Sequence, residues 1–125
     1  LLLTEHYILG IYNHNIMNKK IIIKIADDFS AVPGARYRTD GKFSGQEFYE
    51  DILLIKIKEA LESNSKVLLD LDGTWGLASS FISEVFTRLK KDFPDTEKIL
   101  ETLEFKSDEE PLFIDKIKNT IRDTQ

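Results

Sequence analysis

Val67 to Phe81 reads VLLDLDGTWGLASSF. An apolar run passes into a turn rich in aspartate and glycine, and the turn passes into two serines that open an amphipathic stretch. Strand, acidic loop and helix start therefore follow within fifteen residues, a junction at which α/β proteins commonly place their chemistry. What this junction does decides the reading of the whole chain.

Working outward from it, Lys66 to Leu71 is a short, continuous apolar strand of the kind buried on both faces. The helix after it runs from Ser79 or Ser80 to about Lys91. Phe81, Ile82, Val85, Phe86 and Leu89 recur at helical spacing, with Glu84, Arg88, Lys90 and Lys91 opposite. Upstream, Ile21 to Ala26 is a β-branched strand. Ala35 to Thr39 is a shorter one between Pro33-Gly34 and Asp40-Gly41 turn signals, so the two read as a hairpin. Ser44 to Glu47 has the form of a capping box and opens a helix that runs to about Glu62. In that helix Phe48, Ile52, Ile55 and Glu59 share one face, while Leu53, Ile57 and Leu61 thicken the apolar side. Downstream, Ile99 to Phe105 reads as a weaker fourth strand. A last helix opens between Ser107 and Pro111 and continues through Leu112, Phe113, Ile117 and Ile121. The expected fold is a two-layer α/β domain of order β-β-α-β-α-β-α, with a mixed sheet and helices packed mainly on one face.

Length and composition bound the function. A chain of 125 residues is one domain with a real core. The formal charge of -5 argues against a nucleic-acid partner. There is no cysteine, so disulfides, thiolate metal sites and a cysteine nucleophile are absent. No apolar run has membrane length and no secretory pattern stands out, so a cytoplasmic protein with no membrane partner and no cofactor is expected. Residue 1 is leucine, and the only methionine is Met17, directly before the first strand. One reading makes Met17 the natural start and residues 1–16 an N-terminal extension, with the domain over 17–125. The other makes the chain part of a longer one. Tyr7 to Tyr12 is apolar enough to form an extra strand. Both histidines, His6 and His14, fall in this extension and receive no role.

Asp70-Leu71-Asp72-Gly73-Thr74 after an apolar strand resembles the signature of haloacid-dehalogenase-type phosphatases. In that family the first aspartate attacks phosphorus and the second serves as general acid and base. The family also takes a lysine and a later acidic pair from further strands of a larger sheet, and too little chain follows Thr74 to build them. Its motif sits on the first strand of the core, whereas here a hairpin and a helix precede it. The phosphatase is a minor alternative.

Three motifs in order, DFSAVPGARY (Asp27 to Tyr37), DGKFSGQEF (Asp40 to Phe48) and VLLDLDGTWGLASSF, resemble the bacterial STAS-like domains of unknown function. These are similar to anti-sigma-factor antagonists. In the antagonists a serine at the helix start after the central strand is phosphorylated by a GHKL-type kinase, a partner with an ATPase fold. The matching residue here is Ser79, followed by Ser80. An aspartate precedes the antagonist serine and a glycine follows the pair, where this chain has Ala78 and Phe81.

The resemblance implies a non-enzymatic regulatory or adaptor domain that binds a protein, a GHKL-type ATPase or kinase, through Asp72, Thr74, Trp75, Leu77, Ser79 and Phe81. Trp75, the only tryptophan, stands beside Gly73 and Gly76 and reads equally as a hot spot or as a lid over the sheet's end. Ser79 and Ser80 read either as phospho-acceptors or as plain helix caps. Asp72 suits a turn role, and Asp70 needs a partner if buried. A second surface, Arg36 and Arg38 with the helix start at Ser44 and Gly45, carries the alternative of a nucleotide or other anion-binding module.

Overall fold

The computed structural model describes residues 19–123, so the expectations for residues 1–16 lie outside the described residues. Three strands, β1 (Lys20–Lys24), β2 (Lys66–Asp70) and β3 (Leu103–Lys106), form one parallel sheet in chain order. Ile21 stands beside Val67 and Val67 beside Leu103, while Ile23 stands beside Leu69 and Leu69 beside Phe105. Parallel neighbours need crossovers. The first is α1, which runs from Gly45–Phe48 through a π-helical turn at Tyr49–Leu53 into Leu54–Ser63. The second comprises α2 (Ser79–Asp92) and α3 (Thr96–Thr102), and α4 (Leu112–Arg122) closes the described chain.

The two sheet faces differ. Ile23, Val67 and Leu69 are buried against the helices with Tyr49, Leu53, Ile57, Val85 and Leu89, each such side chain contributing about 1.5–3 kcal/mol on burial. The opposite face carries Ile22, 55% exposed, and the ion pairs Lys20–Glu104 at 2.7 Å and Lys66–Glu104 at 4.0 Å. Among the described residues the sheet is therefore covered on one side, and the central strand is not buried on both.

The expected hairpin does not form. In place of a strand at 35–39 there is a 3-10 turn at Arg38–Asp40, because the local polar groups satisfy one another. The Tyr37 amide donates to Asp40 Oδ2 at 2.9 Å, and the Gly45 and Gln46 amides donate to the carbonyls of Ala35 and Arg36. Among the described residues the sheet is consequently parallel and not mixed. Residues 99–102 are helical and not extended, since Asp95 caps α3 by accepting the Lys98 amide at 3.2 Å. Only Leu103–Lys106 is strand.

The π-helical turn in α1 adds a residue and rotates the apolar stripe. The buried positions become Tyr49, Leu53, Ile57 and Ala60, while Ile55 is 54% exposed. Glu84, expected on the solvent side of α2, is buried and pairs with Arg88 at 3.6 Å. Arg88 also meets Glu50 at 3.3 Å and lies over the Tyr49 ring at 5.1 Å. Tyr49 Oη donates to Asp92 at 2.7 Å; burial first, and this carboxylate second, push its pKa up, so it stays a donor.

Two helix starts meet at one end of the sheet. Ser44 Oγ accepts the Glu47 amide at 3.1 Å, while the Glu47 carboxylate faces Arg38 instead of closing the expected box. Phe48 of α1 and Phe81 of α2 lie 5.8 Å apart, and Phe29 packs on both at 5.3 and 6.2 Å. A Cβ on Gly45 would stand 2.9 Å from the Phe81 carbonyl oxygen, so only glycine allows this approach. Gly45→Ala should cost about 1–3 kcal/mol despite alanine's better helix propensity, because backbone must move. A urea midpoint equal to or above the parent's would contradict this packing.

Candidate functional site

The carboxyl ends of the strands open into three loops, residues 25–44, 71–78 and 107–111. In open α/β sheets ligands bind at this end, in the crevice where strand order reverses. Here the order β1-β2-β3 does not reverse among the described strands, and the loops meet as a surface.

A clasp holds the second and third loops together. Asp72 Oδ1 accepts the Glu109 amide at 3.0 Å, and Oδ2 accepts the Asp108 amide at 3.2 Å and Lys106 Nζ at 2.9 Å. In return Glu109 accepts the Gly73 amide, with both carboxylate oxygens at 3.2 Å. Asp70 Oδ1 accepts the Asp72 amide at 3.0 Å, which answers its need for a partner. Asp72 thus has a turn role, as expected, but it mostly organises the neighbouring loop. The Glu109 amide first, and Lys106 second, hold the Asp72 carboxyl below the usual carboxylate range. Asp72 and then Asp108 raise the Lys106 ammonium above its ordinary value. Among the described residues no three acidic or histidine side chains are grouped to hold a metal ion.

The clasp presents Trp75. Gly73 and Gly76 have φ of 86° and 143°, a region that L side chains rarely adopt, and the Trp75 amide donates to the Ala31 carbonyl at 2.8 Å. The indole is left 87% exposed, so Trp75 is not a lid. Thr74 Oγ1 donates to the Leu71 carbonyl at 3.3 Å. Leu77 and Phe81, expected at the docking surface, are instead 7% and 1% exposed and belong to the core.

The serines do not cap α2. Ala78 occupies the cap position, and no side chain bonds the first amides. Ser79 is exposed and Ser80 half-buried, and neither hydroxyl has a hydrogen-bond partner among the described residues. Ser79 borders a cavity of about 360 Å³ between α2 and α4, lined also by Ile82, Ser83, Lys116, Asn119 and Thr120. Arg36 Nη1 donates to Ser83 Oγ at 3.2 Å, so the Arg36 loop reaches the face of α2 that carries Ser79, one turn further on.

The proposed anion set does not converge. Arg36 turns to α2, whereas Arg38 turns to α1 and pairs with Glu50 at 3.2 Å and Asp51 at 2.9 Å. Ser44 is fully buried, and Gly45 is covered by Phe81. Sequence reading also missed Lys106, Glu109 and Glu110. Their signal was the acidic run SDEE one strand after the aspartate motif, which only strand order brings opposite Asp72.

The clasp has a pH signature. A carboxyl whose folded pKa is depressed contributes stability above its unfolded value, near 3.9, and loses that contribution as pH falls through the folded one. Asp72→Asn should therefore melt below the parent at neutral pH, and the gap should shrink once the pH drops under the ordinary carboxylate range. A melting gap constant with pH would show that the charge on Asp72 contributes nothing.

No curated protein and no solved structure matches the chain. Residues 44–112, more than half of it, match the family described as STAS-like domain of unknown function (DUF4325). That stretch begins at the α1 cap, takes in β2, the acidic loop and the clasp, and ends at the first residue of α4. The chain belongs to this STAS-like family.

Proposed function

We propose that this is a non-enzymatic regulatory or adaptor domain whose loop and helix start at 72–80 dock a protein partner. The observation that carries the reading is Trp75, 87% exposed on a loop pinned by Ala31, Gly73 and the Asp72 clasp. A large aromatic carried on a pinned backbone costs little further backbone ordering when a partner covers it. The partner class, a GHKL-type ATPase or kinase, follows from the likeness to anti-sigma-factor antagonists.

Ser79 is the proposed switch, with Ser80 as the second acceptor. Its hydroxyl is exposed and unbonded at a helix start whose first amides lack a side-chain cap, with Lys116 across the adjoining cavity and Arg36 bonded one turn along α2. A phosphate there would gain from the dipole by about 0.3–1 kcal/mol. It would also place nearly two negative charges on the docking face, which breaks a contact made by the neutral form. The phosphatase alternative is less well supported, because a carboxylate held ionised by two amides and an ammonium is a poor proton donor.

With a purified GHKL-type partner, Trp75→Ala and Ser79→Asp should each weaken binding by about tenfold or more in calorimetry, and Ser79→Ala should bind like the parent. Incubation with that kinase and ATP should add one phosphate at Ser79, read by mass spectrometry. Parent-like affinity in both weakened variants would remove the surface from consideration.

A further inference from the structure

Beside Trp75 lies a cavity of about 230 Å³, walled by Leu71, Thr74, Trp75 and Phe113, with Glu109 and Glu110 among its lining. Small-molecule sites run from about 300 to 1,000 Å³, so this one is sized for a side chain. Two carboxylates and no cation line it. Glu109 is fixed by the Gly73 amide, while the Glu110 carboxylate has neither a hydrogen bond nor an ion pair among the described residues. Lys116 lies over the Phe113 ring at 5.9 Å and pairs with neither glutamate.

The geometry points to a cationic anchor: the protein that docks on this face inserts an arginine or lysine side chain beside Trp75. Its alkyl stem lies against Leu71 and Phe113, and its head meets the indole face and the carboxylates of Glu109 and Glu110. The inference rests on the docking reading above and adds the chemistry of the partner. Three features favour a cation over an apolar plug. The indole is presented with its ring accessible, an aromatic face attracts a cation, and the rim supplies two carboxylates that form no ion pair among the described residues. Lys106, the ammonium nearest in the chain, is committed to Asp72 and Asp108 at 2.9 and 3.3 Å.

As the only tryptophan, Trp75 makes the site directly observable. The probes are three capped tripeptides, Ala-Arg-Ala, its citrulline analogue and Ala-Leu-Ala, titrated against the whole chain while indole emission and the amide NMR spectrum are followed. The arginine peptide should give a saturable change centred on Trp75, Gly76 and Phe113. The citrulline peptide, equal in shape but uncharged, should bind about two- to fivefold more weakly, as loss of a cation–π contact at an exposed site implies. Glu110→Gln should weaken the arginine peptide while melting like the parent, and Glu110→Asp should restore most of the affinity.

Equal binding of arginine and citrulline peptides, binding of the leucine peptide alone, or no response to any of them overturns the cationic anchor. The docking reading is judged separately, by whether Trp75→Ala weakens the GHKL-type partner. If it does while the peptides fail, the surface stands and the anchor falls.

Discussion

The contact between Gly45 and the Phe81 carbonyl is the constraint on which the arrangement of this end of the molecule depends. Two helices that begin beside each other usually keep the 8–10 Å interaxial spacing that side chains impose. Here a missing Cβ lets the first turn of α1 press on the backbone of α2, and the rings of Phe29, Phe48 and Phe81 fill the space beneath. Once α1 and α2 are fixed in this way, the loop from Ala31 to Ser44 has to run past the start of α2. That is why Arg36 finds Ser83 and why Ala31 can receive the Trp75 amide.

A second lock acts on the other side of the same loop. The Asp72 carboxylate accepts the Glu109 amide and the Glu109 carboxylate accepts the Gly73 amide, so neither loop can move without breaking the bonds of the other. Such reciprocal capping makes a surface from segments that would otherwise be the most mobile parts of an α/β domain. Its consequence is preorganisation: the indole is displayed by rigid backbone, not by a floppy tip, so covering it sacrifices little entropy.

Much of the fold was legible where periodicity and caps agree. The strand at Lys66, the helix from Ser79 and the Ser44 cap are found where their residues place them. Legibility failed where short-range polar groups overrode the pattern. Ala35 to Thr39 looks extended, yet Asp40 captures the Tyr37 amide and folds it into a turn. Ile99 to Thr102 looks like strand, yet Asp95 starts a helix one turn earlier. Ile55 was placed on the apolar face because nothing in a sequence announces a π-helical turn that shifts the phase. At the site, Trp75 and Ser79 were visible because their neighbours are local. Leu77 and Phe81 were misplaced because hydrophobicity alone cannot say whether an apolar residue near a loop faces a partner or the core. The clasp was invisible for a different reason: Asp72 and Glu109 are brought together only by the register of β2 against β3.

The way the sheet is wound limits what this end can do. Among the described residues, strands laid down in one direction send each crossover to the same side, so the loops fan out in a row and no pair of them parts at a reversal of strand order. Two cavities that border them, of about 360 and 230 Å³, are each lined partly by exposed polar groups. A substrate held there would keep much of its water, and the electrostatic contributions that make catalysis effective weaken in that setting. Protein recognition carries no such requirement. It works through an exposed anchor at the centre and polar contacts at the rim, and the exposed Trp75 with Glu109, Glu110 and the Ser79 helix start beside it is the layout on which the proposed docking role rests.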